Sequence, residues 1–152
     1  MTDNLQEALA FRPPPHEEFS KLLRLPRWYF SQEVLGVDHL DRNGPTLFVG
    51  NHTRFGLLDV PLIIREIYLN TGLFPRGLAD RVHYKVPLWK EMITRGGGVL
   101  GSREMCRALM QSGSFIVVFP AWAREVFKGK GGNYQLLWKN RLGFVRMAIE
   151  NG

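Results

Sequence analysis

The stretch from residue 46 to residue 59 constrains the fold more strongly than any other part of the chain. It begins with the apolar run Thr46–Val49, continues through a Gly-Asn-His turn that ends at His52, and leads into a helical pattern after Asp59. A strand followed by a tight polar turn and a helix is the repeating step of an open α/β fold. The turn places the His52 imidazole at the carboxyl edge of the sheet, where such folds bind ligands.

Further apolar strands alternate with helical patterns along the chain. The nearly continuous apolar run Ser114–Phe119 is typical of a buried parallel strand. Shorter strands are predicted at 76–79 and 99–100, and helices at 16–24, 60–69, 88–94, 102–111 and 134–150. The sequence therefore predicts an α/β fold, with a mostly parallel sheet flanked by helices and an N-terminal helical segment.

The domain boundary is predicted near the proline run 13–15 and the helix that follows it. We expect residues 1–30 to form a polar and helical N-terminal segment, a candidate for contact with a membrane surface, and residues 31–152 to form the α/β domain. The chain ends at a helix-cap signal, Asn151-Gly152, where such a fold normally continues into another strand. We therefore expect the domain to be incomplete at its C-terminus.

Charge and composition limit the classes of molecule that the chain is expected to bind. The net charge of +6 favours an anionic partner. No RNA-binding signature and no Cys/His metal spacing occur, so phosphorylated small molecules and membranes are favoured over nucleic acid, and no metal is expected. The single Cys106 favours a reducing compartment, hence the cytoplasm. Segment 19–30 mixes aromatic, aliphatic and basic residues, which fits an interfacial anchor or equally a packed helix with a basic outer face.

The His52 turn and three later segments carry candidate chemistry. Asp59, seven residues after His52, can orient one ring nitrogen while the other acts as a base. Gly98–Arg103 resembles a glycine turn before a helix that binds phosphate. A buried strand leads through Pro120 to Arg124, and 127–132 is a basic glycine-rich loop. Each segment alone also fits an ordinary turn, a solvated loop or a chance spacing.

In this order, the segments resemble the glycerolipid acyltransferase superfamily, which includes the lysophosphatidic-acid acyltransferases. The resemblance covers about residues 45–152 and is closest to the branch near the diacylglycerol and phytyl-ester acyltransferases. That family carries an Asn-His-x4-Asp motif, a glycine-rich segment ending in Arg, and a Phe-Pro-x-Gly-x-Arg motif. The matching residues here are His52, Asp59, Arg103, Phe119, Pro120 and Arg124.

The resemblance implies transfer of an acyl group from acyl-coenzyme A or acyl carrier protein to a lipid hydroxyl, without a tightly bound cofactor. His52 would be the base and Asp59 its orienting group. The acceptor would bind at Gly101, Arg103, Phe119, Pro120, Trp122 and Arg124, and the donor at Lys128 and Lys130. A lipid acceptor and an anionic membrane surface are the implied partners, and the implied location is cytoplasmic and peripheral to the membrane.

Two departures from the family pattern keep alternatives open. Six residues separate His52 from Asp59, where the family has four, and Trp122 stands where the family has a small residue. The first alternative is a truncated or degenerate relative that binds acyl-coenzyme A or lipid without turnover. The second is a basic α/β binding module for nucleic acid, which no aromatic-basic RNA motif supports.

Overall fold

The structure is a computed structural model, and it describes residues 2–51, 56–120 and 142–151. Within these residues it contains four β-strands, seven α-helices and two short 3₁₀ helices at Val37–His39 and Arg81–Lys85. The strands are β1 (Leu47–Val49), β2 (Arg76–Ala79), β3 (Val99–Leu100) and β4 (Ile116–Val118). The helices are α1 (Thr2–Leu9), α2 (His16–Leu22), α3 (Arg24–Phe30), α4 (Gly56–Thr71), α5 (Pro87–Arg95), α6 (Arg103–Gln111) and α7 (Gly143–Glu150).

The four strands form one parallel sheet in the order β1-β4-β2-β3. Strand β4 lies between β1 and β2, so Ile116 pairs with Leu47 on one side and with Arg76 on the other. Leu78 of β2 pairs with Val99 of β3. The predicted fold class, a mostly parallel sheet flanked by helices, is confirmed.

Side chains alternate between the two faces of the sheet, as the pleat requires. On one face, Leu47, Leu78, Val99 and Ile116 pack against helices α1, α6 and α7. On the other face, Phe48 and Val117 pack against α2 and α4, together with a group of aromatic rings. The sheet is therefore the middle of three layers, which explains why its strands are apolar on both faces.

Hydrogen bonds and an ion pair to α4 hold the N-terminal helices on the domain. Arg65 donates a hydrogen bond from Nη2 to the Ser20 hydroxyl at 2.7 Å, and the Tyr68 hydroxyl donates to the Pro14 carbonyl at 3.0 Å. Arg27 of α3 lies 3.3 Å from the Glu66 carboxylate. These contacts hold α2 and α3 against α4.

Two helix boundaries differ from the sequence prediction. Helix α4 begins at Gly56 rather than at Val60, so Pro61 lies in the second turn and not in the first. The predicted helix 16–24 ends at Leu22, and a second helix, α3, starts at Arg24 with Pro26 in its first turn, where proline is tolerated. Of the predicted helix 134–150, the described residues include Gly143–Glu150, all helical.

No helix among the described residues is both long and apolar enough to cross a bilayer.

Candidate functional site

The described parts of three predicted motif segments lie at the carboxyl edge of the sheet. Because all four strands are parallel, the residues that follow each of them lie at the same edge. The backbone N–H of Gly50, just after β1, donates to the Val118 carbonyl of β4 at 3.1 Å. The N–H of Gly101, just after β3, donates to the Ala79 carbonyl of β2 at 2.8 Å. His52 lies outside the described residues, but the chain leading to it is held beside β4.

Gly50 and Phe119 bring the first and third motifs into contact. A Cβ atom added at Gly50 would lie 3.2 Å from the Phe119 ring, closer than ordinary packing allows without a shift. Phe119 also packs on the aromatic cluster beneath α4. Pro120 follows directly, while Trp122, Arg124, Lys128 and Lys130 lie outside the described residues.

Asp59 is the fourth residue of α4, one turn from its N-terminus. Its Oδ1 accepts a hydrogen bond from the backbone N–H of Val60 at 2.9 Å, and the residue is half-buried. The positive end of the helix dipole favours a carboxylate at this position. Asp59 thus lies in the first turn of α4, and its pairing with His52 stays a prediction.

The second motif forms a capped helix start. The Ser102 hydroxyl accepts from the Met105 N–H at 3.1 Å and caps α6, as the sequence predicts. Gly101 is required by close packing, since a Cβ there would lie 3.1 Å from the Ala79 carbonyl oxygen. Arg103 is exposed at the first helical position. Its guanidinium and the helix N-terminus suit an anionic or polar ligand group.

An apolar cleft of about 1270 Å³ opens along this edge. This volume exceeds the roughly 300–1,000 Å³ typical of small-ligand sites. Residues of α2, α4, α5, α6 and α7 line the cleft, and Gly77 of β2 contributes sheet surface without a side chain. Three of the predicted site residues, Gly101, Arg103 and Phe119, line the cleft. The polar groups at its edge include Asp80, His83, Ser102 and Arg103.

Sequence reasoning missed the pair formed by His83 and Trp89 in this cleft. The Asp80 side chain caps a 3₁₀ turn by accepting from the Val82 N–H at 3.0 Å, and the turn carries His83 to the edge of the sheet. The Trp89 indole N–H donates to His83 Nδ1 at 2.8 Å, and the two rings stack at 6.0 Å. The neutral imidazole therefore holds its proton on Nε2. The available signal was an Asp-x-x-His spacing directly after a predicted strand.

Arg76 is a second residue that the sequence did not identify. It is only 7% exposed, and its guanidinium donates to the carbonyls of Gly97 at 2.8 Å and Ala8 at 2.7 Å. The guanidinium also lies 4.1 Å above the Phe11 ring centroid. Burial lowers the pKa of Arg76 to about 10, so it remains protonated at neutral pH. Arg76 fixes the glycine turn that leads into β3 and the second motif.

In the described ranges, no group of three or more His, Cys, Asp or Glu side chains is placed to hold a metal ion.

The family match and the similar proteins indicate the same family. Residues 31–152 match the family model described as Acyltransferase. Diacylglycerol O-acyltransferase 2B from Umbelopsis ramanniana is 34% identical over 147 residues, which cover 88% of this chain and 42% of the relative. The DGAT1/2-independent enzyme synthesizing storage lipids from Bos taurus is 28% identical over 118 residues, which cover 78% of this chain and 35% of the relative.

Phytyl ester synthase 2, chloroplastic, from Arabidopsis thaliana is 29% identical over 126 residues, covering 78% of this chain and 18% of the relative. The chain thus spans less than half the length of each of these three relatives. No solved structure gives a significant match. The match over residues 31–152 and the motifs that meet at the sheet edge lead to the same assignment: the chain belongs to the acyltransferase family, within the glycerolipid acyltransferase superfamily.

Proposed function

We propose that this chain carries the catalytic part of an enzyme that transfers a fatty acyl group to the hydroxyl of a lipid. The acyl donor in this proposal is acyl-coenzyme A or acyl carrier protein. The observation that carries the proposal is the apolar cleft at the carboxyl edge, because Gly101, Arg103 and Phe119 from two of the motifs line it. An apolar cleft of this size suits hydrocarbon chains, and the polar groups at its edge suit the ends of the chains that react.

In the proposed reaction, His52 removes the proton of the acceptor hydroxyl as the oxygen attacks the thioester carbonyl. The new C–O bond forms, the C–S bond breaks, and the imidazolium returns its proton to the leaving thiolate. Asp59 holds the imidazole in the correct tautomer and stabilises the imidazolium. The chemistry needs one base and its orienting carboxylate.

The remaining predicted residues position the substrates. Arg103 and Arg124 hold phosphate or other polar head groups, and Gly101, Phe119, Pro120 and Trp122 shape the acceptor pocket. Lys128 and Lys130 bind the phosphates of the donor. The support for Arg103 is its place at the capped start of α6, on the edge of the cleft.

Replacement of the proposed base tests this function. His52→Ala should abolish acyl transfer, measured with radiolabelled acyl-coenzyme A and a panel of lipid alcohols, while the circular dichroism spectrum and melting temperature stay nearly unchanged. His39→Ala is the matched control, because His39 is exposed in the 3₁₀ turn at Val37–His39 and does not line the cleft. Full activity in the His52 variant would refute the assignment of the base.

We also propose that the protein works at an anionic membrane surface on the cytoplasmic side. Within segment 19–30, Phe19 and Leu23 pack into the core, whereas Leu25, Trp28 and Tyr29 are more than two-thirds exposed. Both readings of this segment therefore have support: α2 packs on the domain, and α3 presents aromatic and aliphatic side chains beside basic ones. Such a face suits the interface of a bilayer.

A further inference from the structure

The segment 81–95, which comprises the second 3₁₀ helix and α5, exposes apolar side chains that the proposed function does not use. Val82, Val86, Leu88 and Met92 are all about half exposed or more, and Leu88 reaches 79%. Leu88 and Met92 lie four residues apart on α5, so they share one face of the helix. Isolated exposed leucines are ordinary, but four apolar groups within eleven residues form a patch.

This patch borders the mouth of the cleft. Leu88 and Met92 line the cleft and are also exposed, and Leu22 of α2 lines the cleft and is 74% exposed. The cleft therefore has exposed apolar side chains from two helices. An apolar rim around an apolar cleft is expected where the ligand arrives from a lipid phase rather than from water.

The excess of basic residues on the segment favours an anionic partner surface. Within 81–95, four exposed side chains are basic and one is acidic: Arg81, Lys85, Lys90, Arg95 and Glu91. Glu91 forms an ion pair with Arg95 at 2.7 Å. The segment thus combines apolar groups with an excess of three positive charges, which matches an anionic lipid interface and disfavours burial against a basic protein.

We propose that segment 81–95 is a second contact with an anionic bilayer, in addition to α3 and beside the cleft. The two contacts together turn the mouth of the cleft toward the lipid surface. Acyl chains and lipid acceptors then pass between bilayer and cleft without crossing water. The inference rests on the proposed membrane association, and it adds the second surface and the orientation.

Introduction of a negative charge into the patch tests the contact. Leu88→Glu should weaken binding to vesicles of mixed phosphatidylcholine and phosphatidylglycerol by about tenfold or more, because a leucine leaves the interface and a carboxylate meets anionic lipid. Ile149→Glu is the matched control, since Ile149 is 78% exposed on α7 and does not line the cleft. The control should bind as the wild type does.

A fluorescent label reports the orientation directly. The single cysteine, Cys106, is 3% exposed and burial raises the pKa of its thiol, so a cysteine introduced on the surface can be labelled selectively. With a nitrobenzoxadiazole probe, Leu88→Cys should show blue-shifted emission on vesicles and quenching by spin-labelled lipid. The probe on Ile149→Cys should show neither effect.

The outcomes separate this inference from the proposed function. Wild-type protein that does not bind vesicles would overturn the proposed membrane association and the second contact together, while acyl transfer is tested separately by His52→Ala. The second contact alone would be overturned by two results together: Leu88→Glu binds vesicles as well as the wild type does, and the probe at position 88 stays in water. A wild-type dimer that Leu88→Glu dissociates, with vesicle binding unchanged, would assign the patch to a second copy of the chain and overturn the inference.

Discussion

Replacement of Arg76 by methionine should destabilise the fold by about 2–4 kcal/mol. The buried guanidinium makes two hydrogen bonds to backbone carbonyls, at 2.7 and 2.8 Å. Bonds from a charged donor contribute about 1.5–3 kcal/mol each, and a cation over an aromatic ring adds about 0.5–2 kcal/mol. Against this gain stands the cost of burying the charge. Burial lowers the pKa of Arg76 to about 10, and this shift corresponds to a desolvation cost of about 3 kcal/mol.

The net loss of stability follows from the two carbonyls that the variant leaves without a hydrogen-bond donor. Methionine fills much of the same volume but leaves the carbonyls of Gly97 and Ala8, both on buried residues, without this donor. An unsatisfied buried carbonyl costs about 1–3 kcal/mol. Urea unfolding should therefore show a lower midpoint with an unchanged slope, and Arg95→Met, at an exposed position, should stay within about 0.5 kcal/mol of the wild type. A loss below about 1 kcal/mol for Arg76→Met would refute the reasoning, since it would mean that the desolvation cost cancels the bonds.

Two further predictions concern the membrane and the acceptor pocket. Sedimentation with anionic vesicles should fall as salt rises, because exposed charges are screened, and equal binding to neutral and anionic vesicles at all salt concentrations would contradict the electrostatic contact. Trp122→Gly should mainly change acceptor preference in transfer assays if the wild type is active, or raise a near-zero activity if the indole plugs the pocket. An unchanged rate and acceptor profile would identify Trp122 as core packing.

The sequence predicted the strands well because local chemistry defines them. Strands β2 and β3 have the predicted bounds, 76–79 and 99–100, since Pro75 and Asp80 limit the first and Gly98 and Gly101 limit the second. The order of the strands was not predictable in the same way. Insertion of β4 between β1 and β2 is a non-local pairing, which the residues of a single strand do not specify. Parallel alternation fixes the class of the fold but leaves open which strands are neighbours.

The residues that the sequence missed depend on tertiary contacts. Arg76 stands at the start of a strand, a position where arginine is normally solvated, and only the carbonyls of two distant segments explain its burial. His83 and Trp89 lie six residues apart across the junction of a 3₁₀ helix and α5, a spacing that no regular helix brings into contact. Helix α4 was predicted too short because Pro61 suggested a helix start, whereas the structure accommodates the proline in the second turn.

The earlier start of α4 bears on the unusual spacing between His52 and Asp59. Because the helix begins at Gly56, Asp59 belongs to its first turn, and the longer spacing does not carry the carboxylate deep into the helix. Asp59→Asn separates the catalytic role from the structural one, since an amide oxygen can still accept the hydrogen bond from the Val60 N–H.

If Asp59 orients the base, Asp59→Asn should lower kcat by about a hundredfold or more, because an amide can hold the wrong tautomer and does not stabilise the imidazolium. The melting temperature should change little, and Asp38→Asn, an exposed aspartate outside the cleft, should leave kcat unchanged. Measured kcat within threefold of the wild type for Asp59→Asn would remove this residue from the mechanism. The base would then need its orienting group from another part of the chain, and Asp59 would serve only to stabilise the first turn of α4 through the helix dipole.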